Sequence, residues 1–391
     1  MWRRARPGDT LQVMMSPRER VLSATAHEEP DRVPLIVGGG GATSLHAYAQ
    51  DRLKAHLGMG GETRVTSKAF GYSLLSEEVA ARLHSDVRTL APTVLPLAAR
   101  EEEADSFADE WGIGYQKRPG IPYYEPREAP LRDATLESLS RYPWPDLSNP
   151  ARVAGMAERA RRMRADSSCA IVGLGNIELV ELLELLRGFE QWYMDLASDH
   201  DMVQALLRKV TDLMLGWIDT LLGAIGDSID LLTVADDLGT QASPKMSPSL
   251  YRLLVKPCHA QIMARIKERT RAKILFHTCG DVYPLIGDFI DLGIDILNPV
   301  QVSAREMGDT ARLKREFGRN ICFCGGIDTQ TVLPRGTTGD VRAEVRRRLH
   351  DLAPGGGYLL AAVHCIQPDV PPQNILALFD EAATSGVYPV A

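Results

Sequence analysis

Eight short apolar runs, spread along the chain with helical patterns between most of them, limit the fold more than any other feature of the sequence. They are Val33–Val37, Val87–Leu95, Ala170–Leu174, Leu231–Ala235, Ile274–His277, Ile294–Asn298, Ile321–Cys324 and Tyr358–Val363. The intervening stretches Glu178–Arg187, Asp201–Leu222, Pro248–Arg269 and Thr338–Ala353 carry helical periodicity. Strands that alternate with helices predict a parallel sheet, because a parallel pair needs a long crossover. Eight is the closure number of the common α/β barrel, which spends ~250 residues or more on one core. The expectation is therefore a (β/α)8 TIM barrel occupying residues 16–391 as one domain. Ser16 as N-cap, Pro17 in the first turn and an early Glu19 mark the first helix, and residues 1–15 read as a disordered leader. Residues 96–150 break the rhythm with Trp111-Gly112, Tyr123-Tyr124 and Trp144-Pro145. They read as an inserted hairpin and loop over the barrel. The four glycines Gly38–Gly41 lack a following Lys-Ser/Thr and the GxGxxG spacing, so they read as a loop at the barrel mouth and not as a phosphate cradle.

Composition removes several classes of function. Of 391 residues, 45% are hydrophobic and 24% charged, with a formal net charge of −7 and no basic stripe. That argues against a nucleic-acid partner. The basic start Met1-Trp2-Arg3-Arg4-Ala5-Arg6 has no apolar run behind it, so no secretory signal is expected. No run of eighteen apolar residues occurs, and no membrane span is expected. The six cysteines are few for the length, and four of them crowd into positions 279–365. In a large chain such clustering suits metal binding or catalysis better than a disulfide framework, which makes the cytoplasm the expected compartment.

The candidate chemistry sits at strand ends, the active face of a barrel. The run Phe276-His277-Thr278-Cys279-Gly280 puts His-x-Cys where an apolar strand stops. Residues i and i+2 of an extended segment share a side, so imidazole and thiol can address one point; a packed polar pair is the competing reading. The last strand ends in Val363-His364-Cys365, and there neighbours face opposite sides unless the chain bends. Cys324 lies one residue before Gly325-Gly326, while Cys322 reads as a small buried hydrophobe. Together His277, Cys279 and Cys365 offer one nitrogen and two sulfurs. That soft set suits Zn2+ with a fourth position open, and His364 then lines the substrate pocket. The third ligand stays open between Cys365, His364 and Cys324. Glu178 is a candidate fourth ligand, with a first-turn helix glutamate as the plainer alternative. Asp236-Asp237, after Leu231–Ala235, are paired acids that could orient a cation or share a proton; a solvated acidic turn competes. Asp86 is a further acid near a strand start.

These stretches resemble the uroporphyrinogen decarboxylase superfamily from about Ser16 to Tyr388. The resemblance rests on Pro30-Asp31-Arg32-Val33-Pro34, Asp236-Asp237-Leu238-Gly239-Thr240-Gln241, Pro257 and His277–Asp281. It continues through Asn298-Pro299-Val300-Gln301, Gly325-Gly326-Ile327-Asp328 and Pro368-Asp369-Val370-Pro371-Pro372. It implies a TIM barrel, often dimeric, with one of two chemistries. Decarboxylases of the family are metal-free and bind carboxylates through N-terminal arginines, which the segment after Pro34 lacks; Asp86 and His364 fall where their acid and histidine would be. The other branch comprises zinc methyltransferases that exchange methyl groups with a corrinoid protein, such as those acting with coenzyme M. Their His-x-Cys and later Cys look like His277, Cys279 and Cys365, although alignment through Pro368–Asn374 sets the last ligand on His364. The resulting expectation is a zinc methyltransferase working between a corrinoid protein, or a small methyl donor, and a thiol or other small acceptor. Asp236, Asp237, His364 and Glu178 would serve the chemistry, and Asn298 and Gln301 the cofactor. The alternatives are a metal-free decarboxylase and a barrel that binds a corrinoid or tetrapyrrole without catalysis.

Overall fold

A computed structural model of the chain describes residues 14–92 and 105–390. Twelve strands follow in chain order: β1 (Val65–Ser67), β2 (Tyr72–Ser73), β3 (Val87–Leu90), β4 (Ser106–Ala108), β5 (Gly114–Lys117), β6 (Tyr124–Glu128), β7 (Ala170–Leu174), β8 (Leu231–Ala235), β9 (Lys273–His277), β10 (Ile296–Val300), β11 (Cys322–Ile327) and β12 (Tyr358–Ala362). Seven of them form one curled sheet in the order β12-β11-β10-β9-β8-β7-β3, and every neighbouring pair in it is parallel. Both faces are buried, as a parallel sheet covered by helices requires. The concave face carries small or medium side chains, among them Val87, Ala170, Val172, Leu231, Leu275, Ile296, Cys322, Cys324, Leu359 and Ala361. Their neighbours in sequence, such as Leu232, Phe276, Leu297, Phe323 and Leu360, point outward and pack in the larger core with the helices. This period-2 split decides which residues reach the mouth beyond the strand ends.

The expected eighth strand, Val33–Val37, is not a regular strand. It lies between the two edges of the sheet, with a parallel bridge from Leu35 to Leu360. On that side Ile36 N–H donates to the Leu360 carbonyl and Leu360 N–H to Pro34, each at 2.9 Å; on the other, Asp86 N–H donates to Leu35 at 3.0 Å. Pro34 has no N–H to continue the ladder, which limits the pairing to these few bonds. Of the expected strand Val87–Leu95, residues 93–95 lie outside the described residues, as do residues 96–104 of the insertion and 1–13 of the leader. The rest of the insertion contains a three-stranded antiparallel sheet, β4-β5-β6. The first helix, Pro17–Thr25, carries the capping box read from Ser16 and Glu19.

A charged clasp closes the end of the sheet from which the strands start. Arg20 donates to Asp31 (2.6 Å) and to Asp86 (2.6 Å), while Arg32 reaches Asp86 at 2.8 Å. Asp86 is fully buried and also accepts from Leu35 N–H at 2.7 Å. Burial would raise the Asp31 carboxyl, but the Arg20 bonds outweigh it and hold it below the usual carboxylate value. Among the described residues no helix is long and apolar enough to cross a membrane.

Candidate active site

At the opposite end, the residues after β9 and β12 bring His277, Cys279 and His364 together. One ligand atom from each lies within 4.8 Å of the others. Among the described residues this is the one compact group of three or more such donors. His277 ends β9 on the concave side, in step with Leu275, and Cys279 follows two residues on, its Sγ 3.5 Å from His277 Nε2. The orientation of His277 is set from behind. Its Nδ1 lies 2.7 Å from Asn298 Oδ1, and Asn298 Nδ2 donates to the Cys324 carbonyl at 3.3 Å. With its amide nitrogen so engaged, Asn298 can only accept from the ring. His277 therefore carries its hydrogen on Nδ1 and turns the Nε2 lone pair toward Cys279.

Cys365 is not in this group, against the expectation. The backbone bends at Val363 and His364, and the chain beyond is caught by the segment before the helix Ala47–Leu57: Ile366 N–H donates to Ser44 at 3.0 Å and His46 N–H to Ile366 at 2.9 Å. The bend reverses the alternation, so His364 turns to the mouth and the Cys365 thiol is buried. The His364 ring stands 5.5 Å from that of His277 and 6.2 Å from that of Tyr72. Burial first, then the neighbouring His277, lowers its pKa to about 4, which leaves a neutral imidazole with a lone pair to offer. Cys324 is also outside the group: it faces the interior of the sheet, and burial pushes its thiol up to about 12.

The paired acids divide by the same alternation. Asp236 points away from the mouth and is 1% exposed. It accepts from Val180 N–H (3.0 Å) and Glu181 N–H (2.8 Å) at the start of the helix Val180–Arg187, and it sits 2.8 Å from His259 Nε2. It is a clamp between strand and helices, not the mouth carboxylate expected of it. Asp237 faces the mouth. It accepts from Cys279 N–H at 2.7 Å and has an oxygen 3.7 Å from His277 Nε2. Asn298 is buried and Gln301 accepts from Gly280 N–H at 2.7 Å, so both of these expected cofactor contacts hold the His277–Gly280 turn in place. Gly239 and Gly280 complete that turn: a side chain on either would run into the backbone of the other's loop.

Glu178, expected as a fourth ligand, lies near Asp236 and Asp237 but does not join the compact donor group. Burial, then those two acids, pushes its carboxyl up to about 7. Sequence reasoning missed three neighbours. Glu181, raised by burial and by Glu178, was signalled only by its spacing of three from Glu178. Tyr72, on the short β1-β2 hairpin, feels the charges of Cys365, Glu181, Cys279 and Asp237, and its phenol is raised chiefly by burial. Asp109, in the insertion, is pushed up to about 6 by burial; no periodicity marks either of these two. A cavity of about 370 Å3 opens beside the donor group, lined by Gly239, Gln241, Cys279, Gln301, Gln330 and His364.

Asp86 and His364 do not meet. Asp86 precedes the first residue of β3 and His364 follows the last of β12. In a parallel sheet strand starts and strand ends lie at opposite sides, so the acid and the histidine that fall at the decarboxylase positions do not share one site. Asp86 is also committed to Arg20 and Arg32.

A curled parallel α/β sheet with its polar residues gathered past the strand ends defines an α/β protein whose site lies at the C-terminal mouth of the sheet. The uroporphyrinogen decarboxylase (URO-D) family model matches residues 180–385, and the chain belongs to that family. Among solved structures, a methyltransferase from Methanosarcina mazei superposes with a TM-score of 0.64 at 18% identity, over 95% of this chain and 99% of that one. The endo-1,4-beta-xylanase XylE of Penicillium canescens gives 0.35 at 10% identity, over 60% and 79% of the two chains. The homocysteine methyltransferase MmuM from Escherichia coli, in its apo form, gives 0.34 at 10% identity, over 77% and 81%. No curated protein matches the chain.

Proposed function

We propose that this protein is a zinc-dependent methyltransferase that holds its metal through His277, Cys279 and His364. The observation that carries the reading is the meeting of these three donors within 4.8 Å at the strand ends. Two imidazoles and a thiol are ligands that zinc accepts, and three protein ligands leave a fourth position for a substrate. The Cys279 thiol is held well above its usual value, by burial first and then by Asp237, so it becomes a ligand thiolate only beside a cation. The fold likeness to a methyltransferase from Methanosarcina mazei agrees with this reading, as does a sheet that Val33–Val37 would complete as the eighth stave of a (β/α)8 barrel.

Zinc in such a site keeps a coordinated thiol ionised and nucleophilic near neutral pH. The chain's own residues do the remaining work. Asn298 fixes the tautomer and tilt of His277, while Asp237 and Gln301 fix the backbone on either side of the Cys279–Gly280 bond. The cavity beside them has the size of a small-molecule site. Glu178, with its carboxyl near 7, is suited to hold and return a proton at neutral pH. The methyl group would pass between a corrinoid protein, or a small methyl compound, and a thiol or other small acceptor.

Metal content of single-residue variants tests the assignment. Elemental analysis is expected to give about one zinc per chain for the parent and for Cys365→Ala, and almost none for His364→Ala or Cys279→Ser. Zinc retained by His364→Ala but lost from Cys365→Ala would return the third position to Cys365. A parent protein without zinc, active and indifferent to chelators, would remove the metal from the reading.

A further inference from the structure

Gln301, the first residue past β10, has a side chain with two unlike ends, and only one of them is spoken for. The residue is 5% exposed and lines the cavity beside the donor group. Gly280 N–H can only donate, so the amide atom 2.7 Å from it is the oxygen, Oε1. That bond fixes which way round the amide sits and leaves Nε2 as the free end. Among the described residues Nε2 has no acceptor, and protein does not seal it off. A buried amide N–H in this position favours any molecule in the cavity that brings an acceptor to it, because leaving it bare costs free energy.

The rest of the lining sets the charge of that molecule. No Asp, Glu, Lys or Arg lines the cavity, and its only titratable side chains, Cys279 and His364, belong to the donor group. Thr240 spends its hydroxyl inside its own turn, accepting from Ala242 and Ser243 N–H at 3.2 Å each. Gln241, Thr329 and Gln330 add further uncharged polar groups. Asp237, behind the thiol, is taken up by Cys279 N–H at 2.7 Å. A carboxylate, sulfonate or ammonium on the guest would therefore lose water without meeting an opposite charge on the cavity wall. The volume of about 370 Å3 suits a small molecule.

We infer that Gln301 sets the specificity of this mouth: its Nε2–H donates to a carbonyl or ether oxygen on an uncharged methyl compound bound beside His277, Cys279 and His364. The inference rests on the methyltransferase reading for what the compound is bound for; the donor and the neutral lining come from the cavity itself. Sites that pair a polar group of the substrate reject the analogue lacking it, since their own donor is then left bare. Gln301 thus has two duties, one for each end of its amide: Oε1 steadies the Cys279–Gly280 backbone, and Nε2 reads the guest.

Four methyl ethers of nearly one shape test this by ligand-observed NMR titration of the protein as purified, with zinc content measured on the same sample. They are the ketone 4-methoxybutan-2-one, its hydrocarbon isostere 1-methoxy-3-methylbutane, the anion 3-methoxypropanoate and the cation of 4-methoxybutan-2-amine. The ketone is expected to bind at least about fivefold more tightly than the hydrocarbon isostere, and more tightly than either ion. In Gln301→Glu one carboxylate oxygen still accepts from Gly280 N–H while the other stands where Nε2 stood. There the ketone is expected to bind no better than the hydrocarbon, with zinc content unchanged. Equal or tighter binding of the hydrocarbon by the parent, tightest binding of either ion, or a ketone preference that survives in Gln301→Glu would overturn the inference. The comparison on the parent needs no variant, so a variant that fails to fold leaves the test intact. A sample without zinc that keeps the ketone preference would sink the metal reading and leave the role of Gln301 standing; a zinc-replete sample that treats ketone and hydrocarbon alike would do the reverse.

Discussion

At the residue scale the site turns on which nitrogen of His277 is free, and Asn298 decides it. The amide touches neither the cavity nor the thiol, yet its two bonds, to His277 Nδ1 and the Cys324 carbonyl, leave the ring one useful tautomer. A group that fixes the tautomer and tilt of a ligating imidazole is worth roughly 10- to 100-fold in metal affinity. If His277, Cys279 and His364 hold zinc as proposed, Asn298→Ala should therefore weaken that binding by roughly the same factor, as competition with a chromophoric chelator would read. Unchanged affinity would mean that packing, not the amide, orients the ring. Tyr72 and Glu181 belong to the same scale: they reach the mouth from a two-residue strand and a helix start, and each owes its altered acidity to where the chain brings it.

At the scale of elements, Asp236 ties one strand to two helices, accepting from Val180 and Glu181 at one helix start and facing His259 on the helix Lys256–Arg269. Removing a buried charged acceptor with such partners typically costs about 3 to 5 kcal/mol, because the donors left behind find no water. Asp236→Ala should lose about that much in denaturant unfolding, and a loss below about 1 kcal/mol would show that the helix start is held by other contacts. Much of this level was legible in the sequence. The runs at Ala170, Leu231 and Tyr358 begin strands where the pattern put them, because a residue buried on both faces must be apolar. His-x-Cys was legible because two residues of one strand end share a side. The choice of His364 over Cys365 was not, since it depends on a bend that Ser44 and His46, over three hundred positions earlier, impose on the last loop. Nor was the division of Asp236 from Asp237: the alternation that separates them was available, but nothing nearby in sequence announces His259 as a partner. Val33–Val37 read as a full strand because its apolar pattern says nothing of the ladder bond that Pro34 removes.

For the molecule as a whole, the clasp of Arg20, Asp31, Arg32 and Asp86 fastens the N-terminal segment to the end of the sheet remote from the site. Asp31 is held below its ordinary value, so its contribution is present above the unfolded carboxylate pKa of about 4 and fades as pH falls through the lower folded value. Acid unfolding should accordingly show stability dropping as pH falls below about 4, with a shallower drop in Asp31→Asn; identical slopes would place the sensitivity elsewhere. The two ends of the sheet thus answer to different demands, and a damaged clasp should lower stability without changing the ligand set. The meeting of Gly239 and Gly280 has a consequence for motion. With backbone against backbone and Asp281 N–H bonded to the Thr240 carbonyl at 2.7 Å, neither turn can swing without carrying the other, so they form one rigid plate behind the thiol. Any widening of the mouth to admit a bulky guest must then come from elements other than these two turns, which can only move as a unit.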